Sequence, residues 1–125
     1  MQRIIAQLHQ GLARLLLLGF VIQVYLATAP LFGVGVTFGP HRMLGSALAI
    51  LVILLLVLAL VGRLGRQRIG LSMLLVFLTI VQVMLPSLRG SASWIAALHA
   101  VNALALMGIS ARMGRFGRAA VPQAS

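Results

Sequence analysis

Three histidines, His9, His41 and His99, are the only side chains in this 125-residue sequence that readily bind a transition metal. Cysteine, aspartate and glutamate are all absent, which removes thiolate ligands, disulfides, a covalent c-type haem attachment and carboxylate-bound metals together. Ser-His-Asp triads, paired-carboxylate glycosidases and carboxylate proton relays fall with them, so the sequence predicts no catalytic residues and no catalytic activity of its own. What two neutral imidazoles can do unaided is hold a metal centre from opposite sides. His41 follows Gln23 by 18 residues, and His99 follows Gln82 by 17. Each pair therefore reads as glutamine on one element and histidine on the returning one. The segments around the glutamines echo each other too, Val21-Ile22-Gln23-Val24-Tyr25-Leu26 against Ile80-Val81-Gln82-Val83-Met84-Leu85.

The elements that position these residues follow from composition. Hydrophobic residues make up 62% of the chain and charged residues 8%, too few charges to cover the surface of a water-soluble domain. A membrane-crossing helix needs about 20 mostly apolar residues. Four such stretches are present, over about 11–32, 41–62, 69–88 and 93–111, with a basic tail over 112–125. Only short connections rich in Gly, Pro, Ser and Arg remain. The expected fold is an all-α, single-domain, integral membrane up-down four-helix bundle. The echoing glutamine segments suggest two repeated hairpins related by an axis along the membrane normal.

All ten cationic side chains are arginines, and no acidic side chain balances them. Their placement between apolar runs points to lipid; a nucleic-acid-binding module would carry such charge on a polar face. Arg3, Arg14, Arg63, Arg66, Arg68, Arg112, Arg115 and Arg118 fall on one side of a four-span topology, and only Arg42 and Arg89 on the other. By the positive-inside rule, both termini are expected in the cytoplasm, in a bacterial inner membrane. A competing reading makes residues 1–29 a signal peptide ending in Ala27-Thr28-Ala29. Pro30 would then be the first mature residue, a poor cleavage context, and a three-helix remainder would expose a bundle face. Retention is favoured.

In an up-down bundle the second and fourth helices lie diagonally opposite, so His41 and His99 are the pair able to face each other through the interior. That is the requirement for bis-histidine ligation of a b-type haem. Gly45 lies four residues after His41, and Asn102 and Ala103 three and four after His99. Small residues on the ligand face would leave room for a macrocycle. Gln23 and Gln82 would bond the imidazole N–H groups and fix their tautomers. Arg42 and Arg89 are the natural partners for propionates. Counted from the hairpin midpoints, Gln23, His41, Gln82 and His99 fall in one layer in the outer half of the bundle; counted from helix starts, Pro40 places His41 at the outer end, whereas a cap at Ser91 or Ser93 places His99 deeper. The offset is roughly 9–12 Å at about 1.5 Å per residue.

The run His41-Arg42-Met43-Leu44-Gly45 resembles the His-Arg-x-x-Gly signature of haem A synthases. Those proteins are two fused four-helix halves, each able to hold haem between histidines on its second and fourth helices. The resemblance covers one such half and implies a b-type haem on His41 and His99. The catalytic half of that family carries a glutamate three residues before its histidine, where this chain has Phe38, so haem hydroxylation is not implied. The layout is also similar to a family of small, uncharacterised bacterial four-helix membrane proteins, a membership that implies no activity.

Each of these residues also has a plainer role. His41 beside Pro40 can be a polar helix start. His99, Gln82, Gln23 and Asn102 can be interhelical hydrogen-bonding glue, although an ionisable group within an apolar helix usually has a purpose. Arg42 and Arg89 can meet lipid phosphates, Trp94 and Tyr25 can anchor at the interface, and the six scattered methionines read as apolar filler. His9 is expected at the interface, with no second histidine at its level. The sequence thus supports two functions. One is a haem protein for electron transfer or haem carriage. The other is a cofactor-free structural or assembly subunit that packs against a membrane-protein partner or a second copy of itself. A coupled transporter is disfavoured, because no intramembrane carboxylate exists to couple anything.

Overall fold

The computed structural model describes residues 1–116. Over that range the chain is mostly helical: α1 is Gln2–Thr28, α2 Gly39–Val61, α3 Arg66–Met84, α4 Ser93–Ala96 and α5 Leu98–Met113. Tighter 3-10 turns over Ala29–Phe32 and Leu85–Gly90 extend α1 and α3, each at a proline that cannot continue the α-helical ladder, Pro30 and Pro86. No strand occurs among the described residues. Four segments are long and apolar enough to cross a membrane, Gln2–Phe32, Gly39–Val61, Arg66–Gly90 and Ser93–Met113. The last is α4 and α5 together.

Each helix contributes a stripe at the 3–4 spacing of one helical face. On α1 it is His9, Ala13, Leu16 and Phe20; on α2 it is Leu48, Val52, Leu55 and Ala59. Ser72 and Leu75 of α3, with Leu106, Ser110 and Met113 of α5, complete the interior. The opposite faces carry Leu18, Ile50, Ile53, Val57, Leu60, Met73 and Phe77, all exposed from the bundle. In water that surface would aggregate; in a bilayer it is the solvated side. Small residues bring the helices close, as lipid-embedded bundles require. A methyl group built on Gly19 would overlap the Leu48 side chain, so glycine sets the α1–α2 approach.

Helix α1 packs on α2 and α5, and α3 packs on the same two. The backbones of the diagonal pairs, α1 with α3 and α2 with α5, stay apart. The order around the bundle is therefore the up-down one expected. The arginines of positions 3, 14, 63, 66, 68, 112 and 115 gather at one end, and Arg42 and Arg89 lie at the other. The basic stop expected over 112–125 is described only in part. Arg112 ends α5 and Phe116 folds back beneath the Arg68 guanidinium, 5.1 Å from ring centre to Cζ, while Arg118 lies outside the described residues.

Two boundaries differ from expectation. Helix α1 starts at Gln2, not near Gly11, because His9 continues its buried stripe by one turn. His9, expected at the interface, faces into the bundle. It is fully buried, and its Nε2–H donates to Ser72 Oγ at 3.3 Å, the Ser72 hydroxyl being committed to the Arg68 carbonyl at 2.8 Å. The fourth span is broken. After Ser93–Ala96 the helix tightens, with the Ala100 amide bonding Ala97 only three residues back at 3.2 Å, and regular geometry resumes at Leu98.

Candidate functional site

His41 enters the bundle in the first turn of α2, which Pro40 starts with its pre-set φ. His99 enters at the second residue of α5, directly after the break at Ala97. The depth offset counted from helix starts does not appear, since the two imidazoles reach one layer. The two rings meet across the diagonal, 6.2 Å between centroids with planes inclined by 59°.

Both imidazoles are held in the same way. His41 Nδ1 donates to the Gln23 backbone carbonyl at 3.2 Å, and His99 Nδ1 donates to the Gln82 backbone carbonyl at 2.9 Å. A carbonyl can only accept, so each Nδ1 carries the proton and each Nε2 carries a lone pair, the tautomer of an Nε2 metal ligand. The two hairpins thus repeat one another in contact as well as in sequence. The expected role of the glutamines was a side-chain bond to the imidazole N–H; the structure gives that role to their main chains. A helical carbonyl has a second lone pair free to accept such a bond, and no residue-type pattern signals it.

The glutamine side chains differ between the hairpins. Gln82 Nε2 donates to His99 Nε2 at 3.1 Å, while Gln82 Oε1 accepts from Asn102 Nδ2 at 2.7 Å. Asn102 Nδ2 also donates to the Leu78 carbonyl at 2.8 Å, tying α5 to α3. This chain of donors runs consistently from Asn102 through Gln82 to His99. On the other hairpin, Gln23 Oε1 is buried and meets no donor among the described residues. Gln23 Nε2 instead fills the place of the missing Gly45 side chain, 2.7 Å from where a Cβ would stand. Gly45 therefore makes room for Gln23 in this arrangement.

The layer is set above the apolar core. Leu48 lies seven residues below His41, and Leu106 seven below His99, roughly 10 Å along a helix. Leu75 stands seven residues from Gln82, the same interval on the third helix. Beyond the histidines toward the Arg42 end, Ala29 and Leu85 are the buried apolar side chains among the described residues. His41, His99, Gln23, Gln82, Asn102, Gly45 and Ala103 are all half-buried, so the outer part of the bundle is more open than the inner part.

Of the residues singled out in the sequence, His41, His99, Gln23, Gln82, Asn102 and Gly45 come together. Ala103 is half-buried on α5, one turn beyond His99. Arg42 and Arg89 remain exposed at that end, with no side-chain hydrogen bond to any of the six. No group of three or more His, Cys, Asp or Glu side chains able to hold a metal occurs among the described residues, so any metal here would rest on the two imidazoles and on ligands it brings with it. A second buried polar group, His9, Ser72 and Ser110, was not anticipated. The spacing of His9 from Ala13, Leu16 and Phe20 was the available signal.

Residues 23–92 match the family described as Family of unknown function (DUF6220). No curated protein and no solved structure matches the chain. The matched span includes Gln23, His41, Gly45 and Gln82, and ends before His99 and Asn102.

Proposed function

The chain belongs to the DUF6220 family, for which no function is known, and on the chemistry of its own residues we propose that it is a small membrane b-type haem protein. Its role would be electron transfer or haem carriage, with His41 and His99 as the two axial ligands. The observation that carries the reading is the separation of the imidazoles. A metal–imidazole nitrogen bond is about 2 Å, taking zinc as the guide. Each ring centre sits about 1 Å behind its nitrogen, so two imidazoles sharing one metal have centroids about 6 Å apart. The rings here stand at 6.2 Å. Tilted rings in direct contact meet at similar separations, so the spacing admits a shared metal without requiring one.

The donor set fits haem in two further ways. Both rings expose an Nε2 lone pair because both Nδ1–H groups are committed to carbonyls, and neutral imidazoles are what a haem iron takes axially. The open outer layer, with the apolar core displaced by seven residues on three helices, is where a planar ring would find space. When bound, the haem would supply one-electron exchange at its iron. The chain would orient the imidazoles through Gln23 O and Gln82 O and offer Arg42 and Arg89 to propionates. It would also release the Gln82 amide from His99 Nε2. Leaving that amide without its acceptor costs about 1–3 kcal/mol, which the metal–nitrogen bond would have to offset. The resemblance of His41-Arg42-Met43-Leu44-Gly45 to haem A synthases points the same way, and Phe38 in place of their glutamate argues for haem binding without hydroxylation. A bacterial inner-membrane location with both termini cytoplasmic belongs to the same proposal, resting on the arginine asymmetry.

A second reading has one observation in its favour. Both nitrogens of His99 already have partners, and Asn102 completes the set, so the layer is also a self-sufficient clasp between α3 and α5. In that case the protein is a cofactor-free structural or assembly subunit. Visible absorption of the detergent-purified protein from haem-replete cells separates the two. The haem reading expects a Soret band with six-coordinate low-spin character, reduced to background in His41→Ala. A colourless wild-type preparation would sink it and leave the clasp.

A further inference from the structure

We propose that a second site, at the opposite end of the bundle from the histidines, binds a phosphate-bearing anion, and that its occupant is a phospholipid headgroup. The site is the open cleft between the start of α1 and the turn joining α2 to α3, about 450 Å³ in volume and lined by Arg3, Arg63 and Arg68 together with Gln2, Gly62 and Gly65.

Three arginines from three different segments line one cleft. Like charges repel, and the chain has no aspartate or glutamate to place among them. The convergence is nevertheless built into the fold. Gly62 is buried against the beginning of α1, and a Cβ on it would stand 2.6 Å from Ile5 Cγ2 and 2.8 Å from the Leu58 carbonyl. Only glycine lets the turn close this far onto α1. Arg68 is positioned by donation from Nη1 to the Ala6 carbonyl at 3.2 Å and by its stack on Phe116. Arg63 adopts φ 48°, a left-handed conformation that residues with a Cβ avoid, and the turn holds it there beside the cleft. The first turn of α3, capped by Gly65 without a side-chain hydrogen bond, opens on the same space.

The counter-charge must come from outside the chain. Guanidinium forks match phosphate oxygens in geometry and charge. The cleft lies at the ends of three membrane-spanning segments, the depth at which phosphodiester headgroups sit, and basic recesses between helix ends at this level bind anionic lipids. A free phosphate ion shares the chemistry but lacks acyl chains to lie along the adjoining apolar faces.

The test uses the full chain in neutral detergent, with phosphatidylglycerol, phosphatidylcholine and inorganic phosphate as probes and native mass spectrometry as the readout. Two double variants remove equal charge from the same end: Arg3→Gln/Arg63→Gln inside the cleft and Arg112→Gln/Arg115→Gln outside it. One phosphatidylglycerol should remain on the wild type and on the outside variant, and its affinity should fall roughly tenfold further in the cleft variant. Displacement of that lipid by millimolar inorganic phosphate would assign the site to the free ion. Equal weakening in both variants, or equal retention of phosphatidylcholine, would overturn the proposal, leaving only diffuse attraction. Circular dichroism of the lipid-free variants checks that both remain folded. The visible spectrum is not involved, so failure here leaves the haem reading untouched.

Discussion

A His99→Ala variant should lose bound haem and, independently, about 2 kcal/mol of stability, whereas His41→Ala should lose haem at a stability cost below about 1 kcal/mol. The asymmetry follows from the partners left behind. Removing the His99 ring strands the Gln82 amide donor and the second lone pair of the Gln82 carbonyl in a lipid-shielded layer. It also loosens the Asn102 bond that ties α5 to α3 through Gln82. A stranded buried polar group costs about 1–3 kcal/mol in water-soluble proteins. Interhelical hydrogen bonds in membranes average nearer 0.6 kcal/mol, because the unfolded state in lipid also finds partners. Two such losses place the effect near the middle of those ranges. His41 has a single bond of this kind, at 3.2 Å, and its removal strands no side-chain donor. Unfolding of haem-free protein by sodium dodecyl sulfate titration, followed by circular dichroism, measures the difference. Equal destabilisation by the two substitutions would show that the Asn102–Gln82–His99 chain carries no special weight.

The second large effect is expected at Gly19. Its α-carbon faces Leu48, which is itself buried, and a new methyl group would overlap Leu48 Cδ2 and crowd Cδ1 at 3.3 Å. Gly19→Ala should cost about 1–3 kcal/mol by overpacking, and Gly19→Leu should fail to assemble the α1–α2 pair. The nearest atoms belong to a side chain, not to backbone, so the clash has a remedy. Shortening Leu48 to alanine makes the space, and the Gly19→Ala/Leu48→Ala double variant should be more stable than the sum of its single changes by about 1–2 kcal/mol. Strict additivity in that cycle would mean that the two helices do not meet at these residues. The same contact governs the site, since Leu48 lies on the α2 face seven residues from His41, and a displaced α2 would carry the imidazole with it.

Much of this protein was legible before any coordinates. Four spans, the absence of acidic chemistry and the gathering of arginines at one end are properties of local composition. Local hydropathy decides which segments enter a bilayer, because backbone hydrogen bonds must close within each helix there. The pairing of His41 with His99 followed from the same economy: four antiparallel spans leave two diagonals, and both histidines lie on the one formed by the second and fourth. The glutamine echo between the hairpins was likewise visible as a hexapeptide.

What the chain could not declare in one dimension was height and partnership. Counting from hairpin midpoints put both histidines in one layer and counting from helix starts put His99 deeper; only the packed helices, with the rings 6.2 Å apart, decide between the two. That the imidazoles lean on the main chain of Gln23 and Gln82 was invisible as well, since every helical residue offers the same carbonyl. His9 looked like an interfacial residue and proved to be fully buried, because whether a polar side chain at a helix end faces inward depends on the azimuth of that helix against its neighbours. Hydropathy is a sum along the chain and can be read from it. Azimuth and depth are relations between helices, and only packing assigns them.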